Sequence, residues 1–149
     1  MATQPEALSL EALLAAVPFA VDLGVALTEA GPDGVRASLP WSTRLCTVGG
    51  VLHGGALMTL ADTAGAVCAF LNLPAGAATS TVESKTNFFR AVRGGTVRAE
   101  TRPLHVGRSF VVVQTDLYGD DGRLAGQTTQ TQAVLGGGDG SRVPGSAGG

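Results

Sequence analysis

Apolar residues in this chain follow two different periods, and the periods divide it into elements. Leu8, Leu10, Leu13, Leu14 and Val17 recur at helical spacing, with Ser9 placed as an N-cap and Pro18 closing the segment. Ala12 stands where a capping-box glutamate would, so that box is incomplete. Two strands are then expected, Val21 to Glu29 and Gly34 to Leu39, around the turn sequence Gly-Pro-Asp-Gly. Within the second, Val35, Ala37 and Leu39 alternate with Arg36 and Ser38, as in a half-buried strand. Trp41 to Leu52 is irregular. From Ala56 to Leu73 nearly every residue is small or aliphatic, which predicts a long helix that ends near Leu73 at the stop signals Asn72, Pro74 and Gly76. Four more strands are predicted over Ala78–Phe89, Thr96–His105, Ser109–Tyr118 and Leu124–Leu135. Gly-Asp-Asp-Gly before the last is the clearest hairpin turn. After Leu135 the periodicity stops, and residues 136–149 read as a flexible glycine-rich tail.

The order helix, two strands, long helix, four strands predicts an α+β fold with an antiparallel sheet covering one helix, in a single domain over residues 1–135. One apolar helix against one sheet leaves apolar surface uncovered. Dimerisation through sheet edges or helix faces would bury it.

Composition narrows the function. Of 149 residues, 44% are hydrophobic, enough for a core, while 15% are charged and the net charge is −2. The basic excess of a nucleic-acid binder is lacking. Two cysteines, Cys46 and Cys68, do not make a disulfide scaffold, and Cys68 reads as a buried reduced thiol. The N-terminus lacks the basic region of a signal peptide, and the Ala56–Leu73 run carries Asp62, threonines and many alanines. These features favour a buried helix over a membrane span, and a cytoplasmic protein.

Asp62 is the only residue between Ala56 and Leu73 that carries a charge at neutral pH. A helix that is apolar on all sides is expected to be buried, and a buried carboxylate costs several kcal/mol unless it is paired or neutral. That makes Asp62 the first candidate for chemistry. Just ahead of it, His53-Gly54-Gly55 opens the helix, where unpaired N–H groups and the helix dipole favour negative charge. Such a site suits an oxyanion on a carbonyl, and glycine allows close approach. No metal-ligand cluster accompanies the two histidines, and no G-x-S-x-G elbow is present.

The run VLHGGALMTLADTAGAV, followed by TVESKTNFFRAVRGGTVRAE and HVGRSF, resembles the hotdog-fold acyl-CoA thioesterases. Within these it is most similar to the phenylacetate-degradation (PaaI-type) and Arthrobacter-type 4-hydroxybenzoyl-CoA thioesterase branch. The resemblance spans about Val21 to Leu135. It implies a hotdog fold, a long central helix wrapped by a curved antiparallel sheet. It also implies an acyl-CoA substrate and a homodimer with shared active sites, often assembled as a tetramer. No cofactor is implied, because coenzyme A belongs to the substrate. By position, Gly54 would supply the amide that polarises the thioester carbonyl, and Asp62 the nucleophile or general base.

Spacing adds a constraint. Asp62 follows Gly54 by eight residues, roughly 12 Å along a helix. One carbonyl cannot readily meet both within a chain, since reacting atoms approach to about 3–3.5 Å. Antiparallel helices across a dimer axis would bring Gly54 of one subunit to Asp62 of the other. His53 is expected first to orient the turn, with proton transfer as the alternative. Gly55, Thr63 and Thr47 join the catalytic candidates. Thr47 falls where the resemblance places a carbonyl- or water-holding amide, and Thr63 is the nearest hydroxyl to the acid. Glu83, Asn87, Phe89, Arg90, Arg93, Gly107, Arg108 and Ser109 are candidate substrate contacts, the arginines for phosphate. The alternatives are a non-catalytic acyl-CoA-binding protein of the same fold and a hotdog dehydratase, whose Asp/His pattern differs.

Overall fold

The computed structural model describes residues 8–137. Most of the expected tail therefore lies outside the described residues. Two short helices come first, α1 (Leu10–Ala15) and α2 (Pro18–Leu23). Ser9 caps α1 by accepting from the Ala12 N–H at 3.1 Å. Pro18 does not simply end a helix. It occupies the first turn of α2, where its missing N–H costs nothing. Val21 to Leu23, expected as strand, therefore belong to α2, which Gly24 closes at φ 97°.

Six strands follow in one antiparallel sheet: β1 (Ala26–Gly31), β2 (Gly34–Pro40), β3 (Ala78–Phe88), β4 (Thr96–Val106), β5 (Phe110–Tyr118) and β6 (Leu124–Leu135). Their spatial order is β1-β2-β4-β5-β6-β3. Between β2 and β3 runs α3 (Gly54–Phe70), which packs against all six strands, so the sheet curves around it. It ends a few residues earlier than expected. The Asn72 amide donates to the Cys68 carbonyl at 2.9 Å and the Pro32 carbonyl at 2.8 Å, capping the helix end and tying it to the β1–β2 turn.

The core lies between α3 and the sheet, where Leu39, Leu60, Val97, Val111, Val113 and Leu117 are fully buried. Each leucine contributes about 2 kcal/mol by leaving water. The core is not centred under the whole sheet. β3 is an edge strand, and it is exposed over most of its length on both faces. Its inner face and that of β6 carry hydroxyls and amides rather than aliphatic groups: Thr81 pairs with Gln132, Ser84 with Gln130 and Thr86 with Thr128.

Candidate active site

The site begins at the irregular segment before α3. Two 3₁₀ turns, Thr43–Leu45 and Val48–Gly50, shape it, and Gly49 and Gly50 take φ of 77° and 72°. Trp41 Nε1 donates to the Gly50 carbonyl at 3.0 Å, and Arg93 Nη1 to the Gly49 carbonyl at 3.0 Å. His53 N donates to the Leu45 carbonyl at 2.8 Å. The loop is thus anchored on both sides of the helix start.

His53 is the N-cap of α3. Its Nδ1 accepts from the Gly55 N–H at 2.8 Å, which requires the neutral ring with its proton on Nε2. The Gly55 amide is occupied by this bond. The Gly54 N–H, at the first helical position, has no partner among the described hydrogen bonds. Of the two glycines, Gly54 is therefore the one with a donor to offer. Gly54 lines a cleft of about 370 Å³ together with Thr47, Leu57, Phe88, Phe89 and Arg90. The Phe88 ring lies so close that a Cβ on Gly54 would meet its Cζ at 3.1 Å.

Asp62 does not line this cleft. It is exposed in the protomer, not buried as the uniformly apolar helix led us to expect. The sheet covers only one side of α3, which leaves Gly55, Met58, Asp62 and Phe70 uncovered in a stripe, with Thr59 and Ala66 half-buried along it. Gln130 Nε2 donates to Asp62 Oδ1 at 2.5 Å. Thr63 lies a further 100° round the helix, is buried, and donates to the Thr59 carbonyl at 2.7 Å, so it does not share the face of Asp62.

The remaining candidates separate. Arg90 and Arg93 sit past the end of β3 and line a second cleft with Asp120, Asp121 and Arg123. Gly107, Arg108 and Ser109 form the β4–β5 turn at the opposite end of the strands, where Phe110 pairs with Ala133. Strands of this length span more than about 30 Å, so a single protomer does not gather the arginines. Glu83 pairs with Thr131 and Asn87 with Gln127, on the outer face away from Asp62 and Gln130. The sequence reading missed Gln130 and Gly65. A buried amide on an otherwise alternating strand was the available signal, but its partner is 68 residues away.

Both cysteines are free thiols. No group of three or more metal-ligating side chains occurs among the described residues, and no helix there is long and apolar enough to cross a membrane.

One long helix wrapped by a curved six-stranded antiparallel sheet is the scaffold of the hotdog-fold thioester hydrolases. The profile of the Thioesterase superfamily matches residues 49–125, and the chain belongs to that family. It is 35% identical to the proofreading thioesterase EntH of Cronobacter sakazakii over 114 residues, 76% of this chain and 83% of that one. It is 32% identical to 1,4-dihydroxy-2-naphthoyl-CoA hydrolase of Escherichia coli over 113 residues, 76% of this chain and 83% of the relative. Among solved structures, the thioesterase HI1161 of Haemophilus influenzae superposes with a TM-score of 0.83 at 29% identity, covering 92% of this chain and 97% of that one.

Proposed function

We propose that this chain is an acyl-CoA thioesterase whose active site is divided between two copies. The Gly54 N–H of one copy polarises the thioester carbonyl, and Asp62 of the other delivers the attack. The observation that carries this reading is the separation of the two groups: a glycine with an unpartnered amide lining one cleft, and a carboxylate outside it on a stripe left open by the protomer's own sheet. Met58, Phe70, Val82 and Phe88 are exposed apolar residues on α3 and β3, a surface suited to a second copy. Leu104, Val106 and Phe110, exposed at the β4–β5 hairpin, offer a second surface for pairing dimers into a tetramer.

Two routes balance. Asp62 takes a proton from water as the hydroxide adds to the carbonyl carbon. Alternatively, its oxygen adds directly and gives a mixed anhydride that water then opens. In both, the C–S bond breaks and coenzyme A leaves as a thiolate that takes up a proton. Neither route calls for a metal or redox cofactor. Ala66, one turn past Asp62, borders a groove of about 460 Å³ that is also lined by Leu13, Val17, Val67 and Phe70. Its aliphatic lining with a single ring suits a medium-chain or arylacetyl group. Arg90 and Arg93 from one copy and Arg108 from another would meet the nucleotide phosphates.

Thiol release from a panel of acyl-CoAs tests the reading. The wild type should turn over at least one, and Asp62→Asn should lower kcat on the order of 10²–10⁴-fold. Binding of every panel member without turnover would instead mark a non-catalytic acyl-CoA-binding protein. Undiminished turnover by the variant would remove Asp62 from the chemistry.

A further inference from the structure

We infer that Gln130 is a positioning residue that holds the Asp62 carboxylate in its reactive orientation, and that Gly65 is glycine to let it through. The inference rests on the reading of Asp62 as the reacting group. Gln130 lies mid-way along β6 with 1% of its surface exposed, and its amide is the only side-chain donor to Asp62 among the described hydrogen bonds.

Its other end is the informative one. Gln130 Oε1 is the one buried side-chain polar atom among the described residues that has no hydrogen-bond partner. An orphaned buried acceptor gives up its hydrogen bonds to water with nothing in return, a net cost to folding. Gln132, two residues on, shares the same face and the same burial. It donates to Thr81 Oγ1 at 2.7 Å and accepts from Thr79 Oγ1 at 3.1 Å, so both ends are satisfied and it ties β6 to β3. Gln130 faces Ser84 across the same strand pair, yet its amide turns to the helix and leaves its oxygen without a donor. A glutamine present only to line the strand pair would bond as Gln132 does.

The helix is cut to match. A Cβ built on Gly65 would overlap Gln130 Oε1 and lie 2.9 Å from Cδ. Glycine inside a helix is unfavourable relative to alanine, because it has more backbone freedom to lose. Two local costs thus converge on one bond, from a neutral donor to a carboxylate. The bond engages Oδ1 and holds the Asp62 side chain, which is exposed on the open stripe. A glutamine exchanges no proton at working pH, so its effect passes through Asp62.

Kinetics of single and double variants test this. Gln130→Leu keeps the bulk and removes the donor. Its kcat should fall roughly 10–100-fold with KM within about twofold, the cost of misplacing a reacting group. Gly65→Ala should push the amide aside and give the same loss. In the Asp62→Asn background, Gln130→Leu should cost nothing more, whereas a merely structural role would add its loss again. Gly65→Ala with Gln130→Ala makes room for the new methyl, so its Tm should rise above that of Gly65→Ala alone while kcat stays low. If Gln130→Leu does not fold, Gln130→Met is read the same way. A wild-type kcat in the Gln130 variant beside an inactive Asp62→Asn overturns this inference alone. An active Asp62→Asn overturns the Asp62 reading and this inference with it.

Discussion

At Cys68 the surroundings decide the protonation state of a single side chain. Burial, helped by the charge of Asp33, pushes its thiol up to about 11 from an ordinary value of 9.0. The folded protein holds this proton more tightly than the unfolded chain. The resulting stability is complete below pH 9 and is lost as pH rises from 9 to 11, a change of about 3 kcal/mol. Urea titrations across that range should show the decline in the wild type and a flatter profile in Cys68→Ala. The same thiol should resist alkylation in the native state at neutral pH. His53 permits a second test at this scale. Asparagine can also cap a helix start, so His53→Asn should keep kcat within a few-fold, while His53→Ala should lose about 1 kcal/mol in thermal unfolding. A large kcat loss in the asparagine variant would mean that the ring does more than orient the turn. Asp62, Gly54 and His53 could be found in the sequence because they lie within ten residues of each other. Gln130 could not, because register rather than spacing brings it to Asp62.

Among the elements, α3 carries the sharpest prediction. Proline is accepted at the first position of a helix, and His53 has φ −61° and ψ 137°, the conformation a residue before proline prefers. Gly54→Pro therefore deletes one N–H and leaves the helix geometry intact. It should lower kcat on the order of 10²–10³-fold, as loss of an oxyanion donor does. Gly54→Ala retains the amide and sets the steric baseline against Phe88. Equal activity in the two variants would remove the amide from the mechanism. Most of the sheet could be read from alternation and turn residues: β6 coincides with its expected span, and β3, β4 and β5 shift by a single residue at one end. α2 was missed because proline both stops and starts helices, and apolar residues at its start fit either period. Nor could the pattern reveal that α3 has an open side, since its exposed stripe is as apolar as its core face apart from Asp62 and Thr59.

For the whole molecule, a divided site makes a prediction that no single variant can. Mixing unfolded Asp62→Asn and Gly54→Pro chains and refolding them together gives mixed dimers with one intact site each. Activity should return to about a quarter of wild type, because half the dimers are mixed and each has one of two sites. No recovery would mean that both groups act within one chain. The strand order has a further consequence, in time rather than in space. β3 leaves the ribosome long before β6, yet β6 is its only neighbour in the sheet. Until β6 is made, β3 has nothing to pair with, and Asp62 waits 68 residues for Gln130. Assembly therefore runs from the β1–β2 hairpin towards the β3 edge. Chains cut short before β6 should keep an unpaired strand of eleven residues and be held by chaperones or lost to aggregation. The last strand of the sheet to be synthesised is the one that completes the carboxylate's setting, so a chain cut short before it has no finished site.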